Sequence, residues 1–208
     1  MIRNAILLNF LRIKPSTCIH IGADRAQDRT QYVKLGARNL IWGESNSVSA
    51  DSIITSYPND TVINKFFTDK TDNNIFTTLN FELNKLTLLK PIMITIDTDG
   101  EEINVLNGGS KIFKDCDYLV IEQVFETGYN NWHKNITALV QSYGFKRTLA
   151  RRNYTGQFED VLYTKFSSRR IHCIQGVDII FLILKQIKHL IFTKHFSSSY
   201  FYCSKCKK

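Results

Sequence analysis

The sequence predicts an α/β fold, a doubly wound and mostly parallel sheet that ends in an antiparallel pair. Three observations predict it. Short β-type runs alternate with helical patterns of about ten residues, the signature of βαβ units. Ile92–Ile96 is a continuous apolar run, as a strand buried on both faces requires. Phe145–Leu149 and Val161–Thr164 read as a closing antiparallel pair.

Taken in order, Thr17–Ile21 is the first strand, entered from Lys14-Pro15-Ser16 and left through Gly22-Ala23-Asp24. Gln27 to Leu35 reads as a helix stopped by Gly36, a residue free to take positive φ. Asn39–Trp42 is the second strand and ends at Gly43-Glu44. A helix is expected from Asp51 to Tyr57, where Pro58-Asn59-Asp60 breaks it, and a third strand over Thr61–Phe67. A polar, turn-rich stretch then leads to Pro91 and the buried strand. Asp97-Thr98-Asp99-Gly100 follows. A helix is expected over about Glu101 to Phe113, with Ile103, Leu106 and Phe113 at helical spacing. Tyr118–Ile121 is a strand ending at Glu122, and Trp132 to Tyr143 a helix closed by Gly144.

The chain has 208 residues, of which 43% are hydrophobic and 22% charged, a globular composition that excludes fibrous and disordered classes. The net charge of +8 is unevenly placed. Asp178 is the sole acid after Phe166, against Arg169, Arg170, Lys185, Lys188, Lys194, Lys205, Lys207 and Lys208. Residues 1–166 are therefore nearly neutral, and no nucleic-acid partner is expected for them. Two units follow: a main domain over 1–166 and a basic tail over 167–208. In the tail, Val177 to Phe192 is apolar but interrupted by Asp178, Lys185, Lys188 and His189, which argues for an amphipathic helix rather than a membrane span. Such a helix can touch an anionic membrane surface. Cys18 and Cys116 lie beside strands, where a thiol acts as a small apolar group. Without a secretory signal, a cytoplasmic protein with reduced thiols is expected. Cys203-x-x-Cys206 with His189 or His195 is half of a zinc pattern.

Two turns can carry chemistry. In a doubly wound sheet, ligands bind beyond the carboxyl ends of the strands. Gly22 allows close backbone approach, and Glu44 ends the next strand, where a carboxylate can grip ribose hydroxyls. A dinucleotide would need more glycines for its pyrophosphate, so the turn suits a mononucleoside such as S-adenosylmethionine. The alternative is a sterically required turn glycine and a solvent-facing acid. At the second turn, Asp97 and Asp99 share one side of an extended segment and can face one ligand, and a carboxylate there can take the proton of an attacking hydroxyl. Glu101 and Glu102 can instead simply stabilise the start of the following helix.

These residues carry a resemblance. Ile19-His20-Ile21-Gly22-Ala23-Asp24 with Gln27, Tyr32, Leu35-Gly36 and Ile41-Trp42-Gly43-Glu44 resembles the opening of the FkbM family of S-adenosylmethionine-dependent methyltransferases. Asp97-Thr98-Asp99-Gly100-Glu101-Glu102 with Leu106 and Gly108 resembles its second signature. Leu119-Val120-Ile121-Glu122, Gly144-Phe145 and Glu159-Asp160-Val161-Leu162-Tyr163 resemble its later elements. His20 stands where an acid is commoner, Asp24 where Asn or His is expected, and the middle, about 68–80, is shortened.

The resemblance implies a Rossmann-like methyltransferase domain. It places the cofactor S-adenosylmethionine on His20, Gly22, Ala23, Asp24, Gln27 and Glu44. It has the turn at Asp97 help hold the cofactor and the acceptor. With the proton-accepting chemistry above, Asp97 and Asp99 are the expected catalytic residues. Glu102, Glu122 and Trp132 are expected at a small-molecule or glycan acceptor, Trp132 alternatively serving only as an amphipathic helix end. The implied reaction is O-methylation of a sugar or natural product, with no metal required. Two alternatives stand beside it: a degenerate, non-catalytic methyltransferase fold, and a phosphotransferase using Asp97-x-Asp99-Gly100 as its nucleophile loop.

Overall fold

The computed structural model describes residues 8, 12–72, 74–124, 132–152 and 157–177. The helix expected from Val177 to Phe192, beyond its first residue, and the Cys203-x-x-Cys206 pair lie outside them.

β1 (Thr17–Ile21) is buried along its whole length and forms the sheet centre with β6 (Ile92–Ile96), its parallel neighbour. β2 (Asn39–Gly43) and β3 (Thr61–Ile63) extend the sheet in parallel on one side. On the other side β7 (Tyr118–Val124) is parallel to β6, while β9 (Phe158–Thr164) and β8 (Lys146–Arg152) run antiparallel. The order is β3-β2-β1-β6-β7-β9-β8. The sequence placed both the parallel run and the antiparallel close.

Alternation of side chains along each strand splits the core into two layers. Cys18, Leu40, Trp42, Met93, Val120 and Leu162 face one side. There they meet Tyr32 and Leu35 of α1 (Arg29–Leu35) and Ile53 of α2 (Ser47–Ser56). Ile19, Ile21, Ile41, Ile94, Ile96 and Ile121 face the other. Against them pack α3 (Leu79–Leu83), α4 (Glu102–Gly108), α5 (Ile112–Asp115) and α6 (Trp132–Ser142).

Several elements depart from expectation for local reasons. α2 starts at Ser47 rather than Asp51, because the Asn46 side chain caps it, accepting from the Val48 and Ser49 amides. The helix expected over Glu101 to Phe113 is two helices, with a break at the adjacent glycines 108 and 109. The third strand ends at Ile63, and Phe66–Phe67 (β4) leaves the sheet to pair in parallel with Phe76–Thr77 (β5). Asp72 pins the loop between them by accepting from the amides of Asn74, Ile75 and Phe76. Residues 66–77 thus form a minimal two-stranded unit of their own.

Residues 168–177 are helical; Ile171 and Ile174 are buried, Ile174 in the same layer as Trp42 and Leu162. Gln175 Nε2 donates to the Thr148 carbonyl. Among the described residues, no helix is long and apolar enough to cross a membrane.

Candidate active site

A cavity of about 340 Å³ opens at the carboxyl ends of β1, β2 and β6, within the range of small-molecule sites. Ile21, Gly22 and Asp24 line it from the first turn, and Glu44, Ser45, Asn46 and Ser49 from the second. Asp97, Thr98, Asp99 and Glu101 come from the turn after β6, and Lys65, Phe66 and Phe67 close the far side.

Backbone hydrogen bonds set the first turn. The Gly22 amide donates to the Gly43 carbonyl at 2.9 Å and the Asp97 amide to the Ile21 carbonyl at 2.9 Å. Gly22 has φ +80°, and a Cβ there would lie 1.7 Å from the Asp97 carbonyl oxygen. Glycine is therefore demanded first by the contact between the two turns. Asp24 and Asp99 also have positive φ, 45° and 51°, a conformation that non-glycine residues adopt at a cost of order 1 kcal/mol or more. Both strained residues line the cavity.

Glu44 joins the turns. Its Oε2 accepts from the Asp24 amide and its Oε1 from the Asn46 amide, each at 2.7 Å. Each carboxylate oxygen keeps a further lone pair, so the group can hold the loop and still accept from a ligand. Asp24 accepts from Gln27 Nε2 and Ser49 Oγ.

Asp97 and Glu122 lie at adjacent positions beyond the Ile96↔Ile121 register pair. The oxygens of Asp97, Asp99 and Glu122 fall within 4.8 Å of one another. Burial pushes the Asp97 carboxyl up to about 8, aided by the charge of Glu122. Burial also raises Glu122, with Asp160 adding repulsion. Glu102 is buried below the turn, its Oε1 accepting from the Thr98 amide and hydroxyl and the Gly100 amide.

The cavity thus gathers Gly22, Asp24, Glu44, Asp97 and Asp99 from the residues expected in sequence. Its lining does not include the others. His20 points into the opposite layer, packed by Tyr32 and Trp42, its Nδ1 3.2 Å from the Tyr32 hydroxyl. Ala23 is buried, Gln27 is exposed and bonds Asp24, and Trp132 packs on the core beneath α6. The sequence reading missed Asn46, Lys65, Phe66 and Phe67. The Asn-x-x-helix cap was a readable signal for the first. The aromatic pair was read as the end of a strand, and nothing local shows that the strand breaks two residues earlier.

A family model described as the methyltransferase FkbM domain matches residues 14–147, well over half of the chain. The chain belongs to the FkbM methyltransferase family. Its match spans every residue that lines the cavity, from Ile21 to Glu101, and the strand bearing Glu122. No curated protein matches this FkbM-family chain. Among solved structures it is similar to a ribosomal protein L11 methylase from Lactobacillus delbrueckii subsp. bulgaricus. That match has 13% identity and TM-score 0.53, covering 79% of this chain and 77% of that one. It is also similar to Sp1610 of Streptococcus pneumoniae, assigned as a tRNA (m1A22) methyltransferase and solved in complex with S-adenosyl-L-methionine. There identity is 16% and TM-score 0.52, covering 89% and 86%. A protein of the NADB-Rossmann superfamily from Streptococcus agalactiae matches at 13% identity and TM-score 0.52, covering 83% and 73%. At such identities these likenesses show the fold, a Rossmann-like one. Family membership leaves the phosphotransferase alternative without support.

Proposed function

We propose that this FkbM-family protein is an S-adenosylmethionine-dependent O-methyltransferase acting on a hydroxyl of a sugar or other small molecule. The observation that carries the reading is the donor set of the cavity. Five carboxylates, Asp24, Glu44, Asp97, Asp99 and Glu101, face one lysine, Lys65, and the phenyl rings of Phe66 and Phe67. Such a set fits a cationic nucleoside, with carboxylates for ribose hydroxyls and positive charge and aromatic rings for a base. Glu44 would hold the ribose, and Asp24 the amino-acid end. S-adenosylmethionine supplies, when bound, an electrophilic methyl group on a positive sulfonium. The chain's own part is to orient the acceptor, exclude water and accept one proton at a carboxylate of Asp97 or Asp99.

The same electrostatics disfavour RNA as acceptor, because a phosphate backbone would meet a carboxylate-lined mouth. The apolar, basic segment after Val177 supports peripheral contact with an anionic membrane surface, with the enzyme otherwise cytoplasmic. The test is transfer of labelled methyl from S-adenosylmethionine to a panel of glycans and hydroxylated small molecules, with tRNA as a separate arm. Label in the hydroxylated set alone supports the reading, and label in tRNA alone overturns the acceptor class.

A further inference from the structure

The Asp97–Glu122 pair offers more than a single base. Glu122 does not line the cavity, while Asp97 does, and a carboxyl oxygen of each lies within 4.8 Å of the other at adjacent strand ends. Two carboxylates this close can only repel, and one proton between them turns the repulsion into a hydrogen bond.

Among the described residues, the charged and titratable neighbours of the pair are mostly acidic. Asp99 and Glu101 lie on the turn after β6, Asp160 on β9 is in register with Glu122, and Tyr32 of α1 stands near Asp97. Arg151 on β8 is in register with Asp160, beyond it, and Lys65 is on the far wall of the cavity. With acids on its near sides, the pair is poised to respond to a positive charge entering the cavity.

We propose that Asp97 and Glu122 form a one-proton store keyed to the charge of the ligand in the cavity. The pair gives up its proton when a cationic ligand enters, and takes one back on Asp97 when that positive charge is lost. Glu122 is a positioning residue that keeps the proton on the pair at rest. The inference rests on the cofactor reading above. In the reaction the acceptor's O–H bond breaks and its proton passes to an Asp97 carboxylate oxygen. The electron pair stays on oxygen to form the bond to the methyl carbon, and the C–S bond breaks with its electrons left on sulfur. The proton gained by the pair then matches the positive charge lost from the ligand, so the net charge of the site is unchanged.

The test is calorimetry of the full chain near pH 7 with S-adenosylmethionine and with S-adenosylhomocysteine, in two buffers of different ionisation enthalpy. The expected result is that the sulfonium ligand releases more protons on binding than the neutral thioether, and that the excess disappears in Glu122→Gln and in Asp97→Asn. Binding of both ligands with equal proton release, or an excess unchanged in Glu122→Gln, overturns the inference and leaves the cofactor reading intact. Failure of the folded chain to bind either ligand overturns the cofactor reading itself. A measurement that needs no variant stands beside these: a ¹³C-carboxyl NMR titration of the free chain. It should show a carboxyl titrating well above the ordinary range of about 4, and absence of one refutes the shared proton.

Discussion

A methyl group at position 22 would overlap the Asp97 carbonyl oxygen, at 1.7 Å. The sequence reading gave Gly22 to the close approach of a ligand, with a sterically required turn glycine as the alternative. The structure moves the collision to the protein's own backbone, and φ at this residue is positive as well. Gly22→Val should therefore destabilise the chain by about 2 kcal/mol or more, read as a lower urea midpoint. An unchanged midpoint would show that the two turns can move apart. His20 makes a second case. It was expected among the cofactor contacts by resemblance, but period-2 alternation sends its ring into the layer of Trp42 and Tyr32. Burial holds the imidazole neutral and pushes it down to about 3, whereas in the unfolded chain it titrates near 6.5. The unfolded state thus binds more protons between those values. Stability from His20 is fully present above about pH 6.5 and is lost as the pH falls toward 3, a loss on the order of a few kcal/mol. The stability profile of His20→Gln should be flatter across that window, and a parallel profile would contradict the placement.

The turn after β2 shows what an element-scale reading could and could not reach. Gly22 and Glu44 were legible because a doubly wound sheet fixes where its turns go. The Glu44 carboxylate as clasp between two amides was not legible, because that depends on how α2 starts. Glu44→Ala removes both amide contacts and the proposed ribose contact, so affinity for S-adenosylhomocysteine should fall at least tenfold, about 1.4 kcal/mol, alongside a loss of stability. A change below twofold would make Glu44 a loop clasp only. The segment after the last strand carries a different lesson. Composition divided the chain at Phe166, yet Ile171 and Ile174 beyond it are buried, Ile174 within a core layer. The charge count that marks the tail is blind to two apolar side chains at helical spacing just past the boundary. Ile174→Ala should cost about 2 kcal/mol or more in denaturant unfolding, and a neutral effect would show that this turn does not support the sheet.

At the scale of the molecule, the mostly parallel sheet and its antiparallel close were readable because consecutive βαβ units admit few topologies, and the apolar run over β6 marked a strand buried on both faces. The far wall of the cavity was not readable. It is made by Phe66 and Phe67, which face the site only because β4 leaves the main sheet and pairs with β5. That pairing joins residues across a polar loop with no periodic signal. The result is a carboxylate-lined mouth with an aromatic back, set at the switch between β1 and its neighbours, and the cofactor reading stands on it. Calorimetric titration of the full-length chain with S-adenosylhomocysteine tests that reading most directly. The account predicts one-to-one binding that Glu44→Ala weakens at least tenfold. A folded chain that takes up no ligand, or binds it equally well without Glu44, would contradict it.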